Sequence, residues 1–152
     1  MANLEGDKAP NFTLRNENNN EITLTDYKGK KVILYFYPKD DTPGCTKESN
    51  EFSELSDKFK LKNTEIIGIS KDSVESHKKF KEKYNLKVTL VSDPEMEAIQ
   101  AYGVWKEKKN YGKTYMGIVR TTVLINEEGK IEKRWNNVKV NGHCEKVLEA
   151  IK

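Results

Sequence analysis

The sequence predicts an α/β sandwich built on a mixed β-sheet, and three observations carry that prediction. Two continuous apolar runs, KVILYFY (31–37) and TEIIGIS (64–70), read as buried strands. The charged segments after them space their apolar residues at helical intervals. The chain closes on two strand-like runs flanking a glycine turn, followed by a short amphipathic helix.

Taken in order, FTLR (12–15) and EITLT (21–25) alternate around the polar run NENNN and predict an N-terminal β-hairpin. KVILYFY is the first central strand. From about 42 to 60, Phe52, Leu55 and Phe59 recur at three and four and predict one amphipathic helix. Thr42-Pro43 suits its start, because threonine caps and proline is tolerated at the first helical position. TEIIGIS is the second central strand. A charged helix then opens at Asp72 or Ser73 and runs to Tyr84. VTLVSD (88–93) is a short third strand, and Asp93-Pro94 begins a short helix that ends near Tyr102-Gly103. The stretch from Trp105 to Met116 is polar and reads as a loop. IVRTTVLIN (118–126) and KIEKRWNN (130–137) flank Glu127-Glu128-Gly129, a hairpin signal. Residues 142–152 form the closing helix, with Val147, Leu148 and Ile151 facing in. With no repeat and no linker, residues 1–152 are expected to form one domain.

Composition narrows the function. The chain has 152 residues, of which 36% are hydrophobic and 34% charged, so it can bury a core under a strongly solvated surface. Acidic and basic residues interleave, and no basic stripe with aromatics stands out, so no nucleic-acid partner is expected. No apolar run reaches the length of a membrane span, and MANLEGDKAP has no apolar signal region, so a cytoplasmic protein off the membrane is expected. Two cysteines far apart are no disulfide framework, and with two histidines they fit no common zinc spacing, so no metal is expected.

Ligands in such sheets sit at the carboxyl ends of the parallel strands, and YPKDDTPGCTKE (37–48) lies there. Cys45 falls in the first turn of the expected helix, where unpaired N–H groups and the dipole favour negative charge. The thiolate is the nucleophilic form of a cysteine. Pro38 can wall the pocket against bulk water, and the Thr42 hydroxyl suits a ligand with two adjacent oxygens. The plainer alternative is that Cys45 is a small buried apolar residue.

The spacing Pro38, Thr42, Cys45 matches Pro-x-x-x-Thr-x-x-Cys, the active-site motif of peroxiredoxins. YPKDDTPGCTKE resembles the form found in the bacterioferritin comigratory protein, or peroxiredoxin Q, group. GDKAPNFTL (6–14), DYKGKKVILYFYPKDDTPGCT (26–46), VSDP (91–94), YGVW (102–105), GIVRTTVLI (117–125) and VNGHCEKVLEAI (140–151) are similar to that group in the same order. The resemblance implies a thioredoxin-like fold and a thiol peroxidase acting on hydrogen peroxide and organic hydroperoxides. It implies no metal, flavin or haem cofactor. It places Arg120, one of three arginines, beside the Cys45 thiolate, where its fork of donors suits the anion and the charge that develops as the O–O bond breaks. The plainer reading of Arg120 is a structural ion pair at a sheet end. Glu48, one turn after Cys45, is placed to orient that arginine.

Many members of the group carry a resolving cysteine five residues after the first. Here that position is Asn50. Cys144, at the start of the last helix, reads as a packed helix residue, and His143 beside it as a helix-start or packing residue. His77, in ESHKKF, reads as solvated. The expectation is a one-cysteine cycle in which Cys45 sulfenic acid is reduced by a thioredoxin- or glutaredoxin-like partner or a small thiol, in a monomer or weak homodimer. A two-cysteine cycle with Cys144 resolving is the alternative. A thioredoxin-type oxidoreductase would want Cys-x-x-Cys, and three residues after Cys45 stands Glu48. The intact set of Pro38, Thr42, Cys45 and Arg120 argues against a non-catalytic binding module.

Overall fold

A computed structural model describes residues 5–151. Its main sheet has seven strands in the order β2-β1-β5-β4-β3-β8-β9. β1 (Thr13–Asn16) and β2 (Glu21–Thr23) form the expected N-terminal hairpin. β3 (Lys31–Phe36), β4 (Thr64–Ser70) and β5 (Thr89–Ser92) are parallel. β1 joins β5, and β8 (Thr121–Ile125) joins β3, both antiparallel. β9 (Ile131–Trp135) pairs with β8 at the edge. The sheet is therefore mixed, as its sequence pattern predicted.

β3 shows why its run of apolar residues is unbroken. Val32, Leu34 and Phe36 face one core cluster, with Ile99 of α4 (Glu97–Ala101) and Tyr102. Ile33, Tyr35 and Tyr37 face the other. That second cluster holds Phe52 of α1 (Pro43–Glu54), Phe59 of α2 (Ser56–Leu61), Phe80 of α3 (Val74–Tyr84) and Val147 of α5 (His143–Ala150). A strand covered on both faces has no polar side to alternate with. Each such side chain contributes about 1.5–3 kcal/mol by leaving water. Gly68 on β4 is needed for one contact. A Cβ there would lie 2.6 Å from Cζ of Tyr35, whose hydroxyl bonds the Ser49 hydroxyl on α1 at 2.9 Å.

Three expectations need correction. The helix expected from about 42 to 60 is divided at Leu55 (φ −90°, ψ 0°), which ends α1 and caps the start of α2. The apolar period survives the break, with the rings of Phe52 and Phe59 5.9 Å apart. The stretch expected as a loop is a second, two-stranded sheet, β6 (Trp105–Asn110) with β7 (Lys113–Ile118). Tyr111 and Gly112 turn it, both with positive φ, as a tight hairpin requires. Its strands are mostly exposed on both sides, so no buried face imposes a hydrophobic alternation that could reveal them. Finally, the run IVRTTVLIN is not one strand: β7 ends at Ile118, β8 begins at Thr121, and Arg120 lies in the gap.

Candidate active site

The site forms where β3 ends and α1 begins, at the carboxyl end of the parallel strands. Pro38 is half-buried on the connecting loop. Thr42 is the N-cap residue with extended backbone (φ −96°, ψ 156°), and Pro43 is the first helical residue. The threonine side chain makes no capping bond, contrary to expectation. Its hydroxyl donates instead to Lys39 O at 2.9 Å, which leaves the lone pairs of Oγ1 to accept another donor. Cys45 follows in the first turn, only 1% exposed, with its thiol free.

Arg120 reaches this turn from the gap between β7 and β8. Its Nη2 donates to Cys45 Sγ at 3.3 Å, and its Nη1 donates to Glu48 Oε1 at 2.7 Å. The fork thus spans thiol and carboxylate at once, a geometry that an ammonium cannot copy. Gly44 makes room for it: a Cβ at that position would meet Arg120 Nη2 at 3.1 Å. Glu48 is fully buried, and its Oε2 has no hydrogen-bond partner. Burial pushes its pKa up to about 7, against the opposing pull of Arg120.

The sequence reading placed Pro38, Thr42, Cys45, Glu48 and Arg120 in the site; the structure links Cys45, Glu48 and Arg120 by hydrogen bonds, puts Thr42 at the N-cap of the same helix, and leaves Pro38 on the loop before it. Cys144, on α5, is fully buried, its thiol donating to Glu48 O at 3.6 Å. Burial, with the charges of Glu48 and Glu51, pushes its pKa well above the ordinary thiol range. His143 packs at the helix start, with Nε2 2.8 Å from the Thr122 hydroxyl.

Two side chains near the site escaped the sequence reading. Lys108, on β6, bonds Ile118 O at 2.9 Å; burial and the charge of Arg120 push its pKa down. His77 is the larger miss: it is not solvated but wholly buried. Its Nδ1 lies 2.8 Å from Asp40 Oδ2 and its Nε2 2.9 Å from Val91 O. A signal was present, since His77 stands three residues before Phe80 and seven before Tyr84, on the apolar face of α3. Asp40, Asp72 and His77 form a cluster of metal-ligand type. Their donor atoms are already engaged: Asp40 accepts from Tyr37 and Ser76, and Asp72 Oδ2 accepts from Ser70 and the Asp40 amide.

Comparison with known proteins identifies the chain's relatives. Residues 5–134 match the AhpC/TSA family. The chain is 46% identical over 152 residues to a putative peroxiredoxin bcp of Helicobacter pylori, covering 99% of this chain and 100% of that one. It is 48% identical over 147 residues to peroxiredoxin Bcp of Bacillus subtilis, covering 97% and 94%. Among solved structures, the bacterioferritin comigratory protein of Xanthomonas campestris, described for its alkyl peroxide reduction activity, superposes with a TM-score of 0.88. It shares 40% identity, over 92% of this chain and 89% of that one. A peroxiredoxin Q from Xylella fastidiosa reaches a TM-score of 0.93 at 38% identity, over 98% and 95%.

Proposed function

The chain belongs to the AhpC/TSA family and is a thiol-dependent peroxidase of the peroxiredoxin Bcp kind, and from that premise we propose that Cys45 is the residue that attacks the peroxide. The observation that carries this reading is the Arg120 Nη2 bond to Cys45 Sγ at 3.3 Å, in the first turn of a helix. Helix-start amides and the guanidinium both favour negative charge on the sulfur.

The Cys45 thiolate attacks the terminal oxygen of a hydroperoxide. The S–O bond forms as the O–O bond breaks, sulfur is oxidised to sulfenic acid, and the peroxide is reduced to an alkoxide that leaves as alcohol, or to water. Arg120 stabilises charge as it moves from sulfur to the leaving oxygen. The free lone pairs of Thr42 Oγ1 accept the hydroperoxide O–H, which orients the terminal oxygen toward sulfur. The related Xanthomonas protein's alkyl peroxide reduction supports organic hydroperoxides as substrates alongside hydrogen peroxide.

The cycle closes through an external thiol. Asn50, in the position where many relatives carry a resolving cysteine, has no nucleophilic sulfur. Cys144 is buried, carries a raised pKa, and is turned toward a backbone carbonyl. A thiol of a thioredoxin- or glutaredoxin-like protein, or a small thiol, attacks the sulfenic acid and releases water. A second thiol then breaks the mixed disulfide, leaving Cys45 reduced and the reductant oxidised. No helix among the described residues is long and apolar enough to cross a membrane.

Intact mass spectrometry tests the cycle. After one equivalent of peroxide with a 1,3-diketone trap present, one adduct at Cys45 is expected. An untrapped chain that instead loses two hydrogens, marking an internal disulfide, would count against the one-cysteine cycle.

A further inference from the structure

The loop that carries Pro38 and Thr42 is held from behind by α3, and His77 is the centre of that hold. Four neighbours grip Asp40. Its Oδ1 accepts the Tyr37 hydroxyl at 2.6 Å. Its Oδ2 accepts the Ser76 hydroxyl at 2.7 Å and faces His77 Nδ1 at 2.8 Å. Its backbone amide donates to Asp72 Oδ2 at 2.8 Å. The next residue, Asp41, has a φ of 58°, and its carboxylate takes bonds from Lys83 at 2.7 Å and Tyr84 at 2.5 Å on the same helix. A side chain in left-handed backbone persists only where its surroundings hold it.

The bonding fixes the proton count of the pair. Val91 O can only accept, so His77 Nε2 carries a hydrogen. At 2.8 Å, Nδ1 and Oδ2 would repel if both presented lone pairs, so a proton lies between them. Asp40 and His77 together are thus neutral, which is how two ionisable groups tolerate burial at 8% and 0% exposure. Asp40 lies two residues from Pro38 and two from Thr42. The carbonyl of Lys39, which receives the Thr42 hydroxyl, is directly bonded to the Asp40 amide nitrogen.

We propose that His77 is a positioning residue for peroxide reduction: through its Nδ1–Asp40 contact it fixes the loop that presents Pro38 and Thr42 to a peroxide at Cys45. The inference rests on the reading that Cys45 attacks the peroxide. It differs from a plain packing role because the operative contact is the one to Asp40, not the one to Val91 or the ring contacts with Tyr37.

Two variants separate these contacts. His77→Asn places an amide N–H near the position of Nδ1 and keeps a donor for Asp40. His77→Gln reaches toward Val91 O and leaves Asp40 without that donor. The second-order rate with hydrogen peroxide should stay within about threefold of wild type in His77→Asn and fall on the order of tenfold or more in His77→Gln, since sub-ångström misplacement of a substrate-orienting group costs that much. Amide hydrogen exchange at 40–42 should quicken in His77→Gln only. Equal rates in the two variants, whether both unchanged or both reduced alike, overturn the proposal, as does unchanged exchange. If either variant fails to fold, Ser76→Ala removes a different donor to Asp40 at a half-buried site. A loss of about two- to fivefold in its rate supports the proposal and a wild-type rate overturns it. A wild type that consumes no peroxide sinks the Cys45 reading, an outcome that the exchange data distinguish from failure of the clamp alone.

Discussion

Cys45 and Cys144 occupy the same kind of place in the fold. Each lies in the first turn of a helix, Cys45 third in α1 and Cys144 second in α5. Each is at most 1% exposed, and both belong to one apolar cluster. Their electrostatic neighbours differ. Cys45 receives a guanidinium N–H from Arg120. Cys144 has the acidic side chains of Glu48, Glu51 and Glu145 as its charged neighbours, and its sulfur gives its hydrogen to a carbonyl. On the proposal that Cys45 is the nucleophile, the contrast means that a helix start does not by itself make one. A guanidinium stands beside the Cys45 sulfur, whereas burial and acidic neighbours push the Cys144 thiol up. Glu48 serves both sides of the divide: its carboxylate anchors the arginine, and its backbone oxygen takes the other thiol's hydrogen.

The most severe way to break the comparison is to remove the favoured sulfur. Cys45→Ser should lower peroxide consumption by several orders of magnitude with the fold intact, as expected for loss of a nucleophile. Appreciable turnover with the same reductant would dismiss the assignment. Removing the favouring charge geometry should cost less. Arg120→Lys keeps one positive charge but cannot span Cys45 and Glu48 together. The sulfenic-acid step, followed by stopped-flow fluorescence, should slow by about ten- to a hundredfold. Gly44→Ala should slow it by a smaller factor, because its new Cβ presses on Arg120 Nη2 at 3.1 Å and the guanidinium must shift. An unchanged rate in Arg120→Lys would show that charge without the fork suffices.

The same contrast explains how far the sequence could be read. The buried strands and the turn at Cys45 were legible because their signals are local: unbroken apolar runs, a proline at a helix start, a helical period through Phe52 and Phe59. The placement of Arg120 was legible only through resemblance, because a gap between two strands leaves no periodic trace. The hairpin Trp105–Ile118 was missed because strands mostly exposed on both faces carry no period-two signal. His77 was missed because a histidine amid lysines looks solvated until its distance to Phe80 is counted in helical turns. The bond that hides it, to Asp40, joins residues far apart in sequence, and no local pattern announces such a pair.

Glu48 offers a way to sharpen the comparison through pH. Burial raises its pKa to about 7, so the folded chain holds a proton that the unfolded chain has released. Its contribution therefore makes the fold more stable as pH falls from about 7 toward 4.5. His143, beside Cys144, is shifted the other way: burial, with Lys146 and Arg120, lowers its pKa to about 4. Its contribution is fully present above its unfolded value near 6.5 and is lost as pH falls toward 4. The two oppose each other over nearly the same window, so their contributions largely cancel. In Glu48→Gln the histidine's contribution is no longer offset. Stability from urea unfolding should then drop between pH 6.5 and 4.5 more steeply than in wild type, by about 1 kcal/mol per pH unit. Parallel curves for the two proteins would remove Glu48 from this balance.

The smallest expected effect belongs to the other cysteine. For Cys144 to resolve a sulfenic acid at Cys45, its sulfur would have to leave the carbonyl of Glu48, lose its proton and meet the Cys45 sulfur with Cα atoms within about 7 Å. Each step has a cost here. The proton is held by burial among acidic neighbours, and the helix it sits on is packed through Val147 into the cluster that also holds Cys45. A fraying of the first turn of α1 would expose Cys45 to an outside thiol before it brought the two sulfurs together, because helix ends open at low cost while a packed helix does not slide. Cys144→Ser should therefore keep turnover, with a thioredoxin-like protein or a small thiol as reductant, within about twofold of wild type. Its hydroxyl still donates to Glu48 O, so the stability loss should be about 1 kcal/mol, near the centre for point changes. Oxidised wild type should map as sulfenic acid at Cys45, or as higher oxides at excess peroxide. A Cys45–Cys144 crosslink in non-reducing peptide maps, together with lost turnover in Cys144→Ser, would make Cys144 the resolving residue and erase the functional difference between the two helix starts.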